Sequence, residues 1–458
     1  MFLGRRFQAF VDASPVSVMV RAVLERAFHA DKIDDLFERT AEVQYTRELT
    51  FSTTVGLMSE VVLGVAPSIH AAYREAGETI PVSITSVYNK LNGVETAVSA
   101  ELVRESARQL GAVIERMKGA APELLPGYRV RILDGNHLSG TEHRIGELRS
   151  LRAGALPGQA LAMLDPALML VVEVVPCEDG HAQERSLVEE VLSRVQPADL
   201  HIDDRNFCTT RFLFGIHRRR GFFLTRQHGS TLQWELVGKR KCRGRTATGV
   251  VFEQTVHLHD ATTGETLVAR RITVELNEAT RDGETEVHLL TNLPVEDAGA
   301  KQVANLYLHR WTIETMFQQL TVALRCEINT LGYPKAALFG FCLALVAYNA
   351  VSVVRAALRA VHGDAKVADE VSWHHLCHHI SRVYGGMMIA LPPDKWHIIR
   401  ELSDAEFAEL LKTLAGKINL RRFRKSRRGP KKPPPKKSSG AKIKHVSTAR
   451  VLAKRKHH

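Results

Sequence analysis

The 458-residue chain contains no uninterrupted apolar run of about 18 residues, the length a membrane-crossing helix needs. Its most apolar stretch, AALFGFCLALVAYNAVSVV from Ala336 to Val354, is broken by Gly340, Tyr348, Asn349 and Ser352 and reads as a buried core helix. The opening MFLGRRFQAFVDASP lacks a sustained apolar segment, so no signal peptide is expected. Paired cysteines are missing too. The six, at 177, 208, 242, 326, 342 and 377, share no ligand-like spacing, and reduced structural thiols in a cytoplasmic protein are expected. There are no internal repeats. Acid is absent from one region: Arg421 to His458 holds 16 Lys or Arg and no Asp or Glu. The remaining body carries 46 basic against 50 acidic residues, so the net +12 belongs largely to the tail. Such a tail has too little apolar surface to bury and is expected to be disordered when free. It favours polyanions, nucleic acid before anionic membrane, with a merely solubilising role as the alternative.

What remains is ordinary globular composition, 45% hydrophobic and 24% charged, long enough for about two to four domains. Residues 1–120 read as a helical region. Within it PVSITSVYNKLNGVETAVSAELVRESARQL reads as helix, Asn92-Gly93 turn, helix: a DNA-reading helix-turn-helix or a plain bundle. The texture changes near Pro122. YRVRIL is a strand ending on Asp134 before a turn-like GNH; ALPGQALAML and ALMLVVEVVP form a strand pair; AQERSLVEEVLSRV is a helix; ADLHID is a strand ending at Asp204-Arg205. Residues 206–294 alternate with turn signals and read as an antiparallel β insertion. A long helix then resumes from VEDAGAKQVANLYLHRWTIETMFQQL, and the apolar helix follows. The expected organisation is a helical region 1–120, a core from 121–205 and 295–360, the insertion 206–294, a helical region 361–420 and the tail 421–458.

Three acids stand out. Asp134 and Asp204 end strands that would lie close if parallel, and Glu314 sits on a helix that could cross that sheet. Three convergent carboxylates hold hard divalent cations, and two such cations suit in-line displacement at phosphorus. Taken singly each acid is dull: an Asp before Gly serves a turn, and Asp-Asp-Arg serves a surface pair. Tyr307, Arg310 and Glu314 follow at i, i+3 and i+7, one face of a helix whose other stripe is apolar. A solvated face with one Arg–Glu pair is the bland alternative.

The motifs ILDGNHL, LHIDDRNFC and YLHRWTIETMF resemble those of DDE transposases of bacterial insertion sequences, in particular the insertion sequence 4 family with its Tyr-x2-Arg-x3-Glu-x6-Lys signature. The resemblance spans roughly residues 125 to 350. It implies an α/β, RNase H-like catalytic core interrupted by the β insertion. Asp134, Asp204 and Glu314 match the catalytic, metal-holding acids, with Asp203 as fallback for the second. Tyr307, Arg310, Arg205, Trp234, Gln318 and Arg325 match or stand near DNA-contacting positions, Trp234 as an aromatic that stacks on a flipped base. The implied cofactor is Mg²⁺ or Mn²⁺, as two ions. The implied partners are double-stranded DNA, as terminal inverted repeats and target, and a second copy of the chain on that DNA. No membrane partner is implied, and the setting is the cytoplasm with its nucleoid. The implied activity is cleavage of the element's own ends, in this branch through a hairpin, and joining of the 3′ ends to target. One position departs: the signature Lys falls on Thr321. Gln318 offers a hydrogen bond without charge, and Arg325 is the nearest replacement cation.

Other features have plainer readings. WHHLCHH (373–379) invites zinc, yet lacks a second ligand half. Trp234 in a β insertion also suits simple packing. HRRRG (217–221) and GKRKCRGR (238–245) suit DNA backbone or solvated loops. Rival functions are a related nuclease without strand transfer and a catalytically inactive DNA-binding protein.

Overall fold

The computed structural model describes residues 5–43, 48–139, 145–151, 153–280, 282–426, 429 and 445–455. Strand β1 (Arg129–Leu138) alternates so that Val130 and Ile132 enter one core and Leu133 the other. It pairs antiparallel with β2 (Gly158–Asp165), which pairs with β3 (Leu170–Cys177). On its other side β1 runs parallel to β4 (Asp199–Asp203), itself parallel to β5 (Phe222–Arg226). Strand β2 is buried along its whole length, as a strand covered on both faces should be. Strands β6 (Gln233–Arg245), β7 (Gly249–His259), β8 (Thr266–Leu276) and β9 (Glu286–Thr291) form an antiparallel meander, and β9 adds to β5. One nine-stranded sheet results, in the order β3-β2-β1-β4-β5-β9-β8-β7-β6.

Helix α1 (Thr96–Met117) covers one face of this sheet, followed in the chain by α2 (Ala300–Leu308), α3 (Trp311–Ala323) and α4 (Pro334–His362). Helix α4 is long and apolar enough to cross a membrane, but its apolar window is wholly buried inside the protein. Its one amide fixes the packing. Asn349 accepts from the Val171 N–H (2.8 Å) and donates to the Val171 carbonyl (3.0 Å) and to Ser106 Oγ on α1 (2.8 Å). It therefore serves β3 in place of a neighbouring strand where the β2–β3 ladder is irregular.

Six local expectations change. The GNH after Asp134 is not a turn: β1 continues to Leu138, paired with β2 throughout. AQERSLVEEVLSRV shrinks to a 3₁₀ turn, Glu184–Ser186, and one short helix, Val188–Leu192. The stretch from 206 is not all insertion, for Thr210–Arg218 is a helix and β5 belongs to the parallel core. Its apolar face (Phe212, Leu213, Ile216) packs on the second core, a 3.6-residue pattern mistaken for strand. The long helix ending in the Tyr-Arg-Glu motif is two helices, α2 and α3, because His309, Arg310, Thr312 and Ile313 donate to carbonyls three residues back. The end of the basic tail, expected to be disordered, is ordered in part. His445–Ser447 adds parallel to Gly154–Leu156 and Thr448–Arg455 follows as a helix, with Val446, Val451 and Leu452 packed against Ile145, Leu148 and Ala155. The PKKPPPKK part of that expectation, residues 430–437, lies outside the described residues. In the N-terminal region the two helices, Ile84–Gly93 and α1, are present, but Asn92-Gly93 closes the first helix instead of forming the turn, the break falls at Val94-Glu95, and the inward side of α1 is committed to the core. The segment 361–420 is helical as read, with α5 (Trp373–Ala390) and Asp404–Gly416.

Asn349→Ala should destabilise the protein by about 3 kcal/mol, since it strands the Val171 amide and carbonyl in a dry core. Chemical denaturation checks this; a loss below about 1 kcal/mol would show that Asn349 is not a structural pin.

Candidate active site at the ends of β1 and β4

Leu133 and Asp203 are partners in the parallel β1–β4 ladder, and the ladder stops there. The next residues, Asp134 and Asp204, are therefore neighbours, and both turn to the opposite face from Asp203. Asp204 keeps an extended backbone (φ −73°, ψ 168°). That face is the one bearing Ile132 and Ile202, and it packs with Ile313, Met316 and Leu320 of α3. Glu314 thus reaches the strand ends from across the sheet. Strand parity selects Asp204 over Asp203 as the companion of Asp134.

Arg310 occupies the centre. It stands at the α2–α3 joint, only 7% exposed. Its guanidinium donates to Glu314 at 2.6 Å, lies 3.7 Å from Asp134 and stacks near the Trp311 ring at 4.6 Å. Burial opposes its charge, yet Tyr307, Glu314 and Asp204 outweigh that and raise its pKa. Tyr307 is turned inward, and burial pushes its phenol well up. Asp134 is pushed up to about 6, by burial first and then by the charges of Glu184 and Glu314, against the pull of the Gly135 amide (2.9 Å) and Arg310. Asp203 is fully buried, neither oxygen has a well-formed hydrogen bond, and burial drives its pKa far up.

The structure thus brings together Asp134, Asp204, Glu314, Tyr307 and Arg310. Arg205 is exposed beside Asp204, 3.9 Å from Glu284. Gln318 is exposed one turn beyond Glu314. Arg325 is engaged elsewhere: its guanidinium donates to the Ala66 (3.0 Å) and Pro67 (2.8 Å) carbonyls of the N-terminal region. Thr321 donates to the Phe317 carbonyl (3.0 Å). The expected substitute for the signature Lys is therefore tied to a structural role. Trp234 is half-buried against the second core, with Arg271 5.3 Å from its ring. In WHHLCHH, His374 and His378 stack one turn apart, and His379 meets Ser14 Oγ at 2.8 Å. Of the basic runs, Arg218 is paired with Asp260 and Glu265, Arg240 with Glu275, and Arg243 with Glu253. Sequence reasoning missed Glu184, whose carboxylate lies against Gly135 and accepts from Asn206 Nδ2 (3.3 Å).

Among the described residues no three His, Cys, Asp or Glu stand close enough to hold a metal ion. Asp134 and Glu314 meet through Arg310 instead. The donor chemistry nevertheless fits a hard divalent cation: every acid offers oxygen alone, and an orphaned buried carboxyl, Asp203, adjoins the set.

Fold and site together define a mixed α/β protein with a strand-end carboxylate cluster around one buried arginine. Residues 125–350, a little under half of the chain, match the transposase DDE domain family model. Over that region the chain is similar to DDE transposases. No curated protein sequence matches it. Among solved structures it is similar to a piggyBac transposase synaptic complex with hairpin DNA, at 11% identity over 81% of each chain and a TM-score of 0.38.

Arg310→Gln should destabilise the fold by about 3 kcal/mol at pH 7, because it leaves Asp134 without its buried counter-charge. The sign with pH follows from the raised Asp134 pKa. An acid with a raised folded pKa costs stability above that pKa, and the cost vanishes below the unfolded value. The deficit should shrink as pH falls from above 6 towards 4. Denaturation midpoints of both proteins across that range test it, and a pH-independent deficit would count against the pairing.

Proposed function

We propose that this protein is a DNA transposase that binds the ends of its own insertion sequence, cleaves them by metal-dependent phosphoryl transfer and joins the 3′ ends to target DNA. The observation that carries the reading is that Arg310 pairs with Asp134 and Glu314 and is raised by the charge of Asp204, three acids from distant segments inside the region that matches transposase DDE domains. Supporting it, the order β3-β2-β1-β4-β5, with β1, β4 and β5 parallel, is one that an RNase H-like core has. Mg²⁺ or Mn²⁺, two ions by the resemblance, would be held by Asp134, Asp204 and Glu314 and would supply Lewis-acid activation of oxygens at phosphorus. Arg310 sets the charge balance of the acids and offers a planar donor pair to a phosphate. We assign the protein to the insertion sequence 4 branch and a bacterial cytoplasm, acting on double-stranded DNA as a homodimer and without a membrane partner.

A second reading, an inactive DNA-binding relative, is favoured by one observation: Thr321 replaces the signature Lys, and Arg325 is occupied by carbonyls. Cleavage of a duplex carrying the element's end separates the two. In the lead reading wild type cuts with Mg²⁺ and Asp134→Asn and Glu314→Gln bind but do not cut, a loss of at least about a thousandfold. Binding without nicking by wild type would establish the second reading.

Strand parity adds a sharper expectation. Asp204→Asn should abolish cleavage, whereas Asp203→Asn should keep at least about a third of it, its carboxyl lying on the other face. The reverse result would overturn the assignment of the second acid.

A further inference from the structure

We propose that the second half of α4 and the start of α5 form a buried binding site for a small oxyanion, of the inorganic phosphate or sulfate class, held by Arg355, Arg359, Trp373, Tyr348 and Ser352.

Tyr348, Ser352, Arg355 and Arg359 follow at i, i+4, i+7 and i+11, so α4 presents them on one face. Trp373, the first residue of α5, packs against that face. Its ring lies 4.6 Å from the Tyr348 ring, and the Arg355 guanidinium stands 5.9 Å from its centre. Tyr348, Ser352 and Trp373 are buried, and Arg359 is only 7% exposed. Arg355 is partly exposed, and the site meets solvent there. Buried polar groups are ordinarily bonded. Here Arg355 Nε, Arg359 Nη2, Trp373 Nε1, the Tyr348 hydroxyl and Ser352 Oγ are all buried with no well-formed hydrogen bond among the described residues. The three nitrogens can only donate, and the two hydroxyls, which face each other, can donate as well. The group that satisfies them is therefore an acceptor.

Charge points the same way. Burial and the neighbouring Arg355 push the Arg359 pKa down to about 10, and burial lowers that of Arg355 against the pull of Tyr348 and Asp364. Asp364 comes only within 4.0 Å of Arg359 Nε and is 42% exposed, so two guanidiniums share one partly solvated carboxylate. Arg359 is nonetheless held in place. Its Nε donates to the Gly119 carbonyl at 2.8 Å, and a Cβ on Gly119 would stand 2.5 Å from the Ala356 carbonyl oxygen, so the glycine permits that approach. A buried water is the plain alternative. It accepts two hydrogen bonds and brings two O–H donors into a place already rich in donors. A tetrahedral oxyanion brings acceptor oxygens and the negative charge that the arginines lack. It would tie α4 to the first turn of α5, the end of a helix that favours anions. Donors this deep admit a free ion and not the backbone of a DNA strand. The site stands on elements other than those carrying the acids around Arg310, and it does not rest on the transposase reading.

The test follows thermal unfolding and calorimetric titration of the full chain, dialysed free of oxyanions, with sodium phosphate, sodium sulfate and sodium chloride at matched ionic strength. Phosphate or sulfate should raise the midpoint saturably, and chloride should not. Trp373→Phe keeps a ring and removes one donor, and should weaken oxyanion affinity by about three- to tenfold. Arg359→Met should weaken it by at least about tenfold. Both variants keep the basic tail and whatever anions it attracts. Affinity equal to that of wild type in both variants overturns the proposal and assigns the binding to the tail. Absence of a saturable phosphate or sulfate effect on wild type also overturns it, and water then fills the place. Should Arg359→Met fail to fold, Trp373→Phe and Arg355→Lys, which keeps the charge and removes the Nε donor, decide it by the same readout.

Discussion

A guanidinium at 7% exposure must have counter-charges within reach, because an unpaired buried ion costs several kcal/mol. Arg310 satisfies this by standing between Asp134 on β1 and Glu314 on α3. Much of the local architecture follows from that demand. The helix that would have run from Ala300 to Ala323 tightens and breaks at His309–Arg310, which aims the guanidinium at the strand end. The break also leaves Tyr307 and Glu314 on separate helices, so the three motif residues no longer share one helical face. Burial and the neighbouring acids push the Asp134 pKa up to about 6, a shift that added positive charge would oppose. Arg310 thus holds together carboxylates that repel each other.

The cluster keeps its shape only if α3 stays fixed above the sheet. That fixing comes from outside the acids. Helix α4 fills the core beneath, anchored to β3 and α1 by Asn349, and the end of α3 is tied to the N-terminal region by Arg325. Sites built on such rigid elements hold their side chains more closely than loop sites do. The occupation of Arg325 therefore has a structural rationale, and it explains why proximity in sequence to Thr321 was a poor guide to what Arg325 does.

Long-period features were legible in the sequence. The apolar helix around Asn349 and the strands through YRVRIL and ADLHID stand where the residue pattern put them, although Asp134 lies within its strand, where the parallel ladder stops, and not at the strand's end. What failed was local. The Gly after Asp134 read as a turn because Asp-Gly usually makes one, yet here it marks a close approach inside a strand. The sequence carries that glycine, but nothing in it names Glu184 as the group approaching, since a contact across 49 residues has no periodicity. The same holds for the α2–α3 break, for which no Gly or Pro gives warning. The ordered end of the basic tail was hidden by composition: Val446, Val451 and Leu452 are few, but they meet a ready apolar patch.

The basic strand β6 shows how a charge pattern can satisfy two demands. It is the edge of a nine-stranded sheet, exposed along nearly all its length. Edges of that kind invite pairing with other chains, and lysine, arginine and bulges are the usual defence. Both occur here, in GKRKCRGR and in register shifts between Val237 and Lys241 and between Cys242 and Gly244. Arg240 and Arg243 are already neutralised by Glu275 and Glu253 within the meander. Edge protection therefore accounts for the run without DNA. A phosphate-tracking role adds to it only through the exposed Lys239, Lys241 and Arg245, whose charges are the ones that salt would screen and counterion release would report.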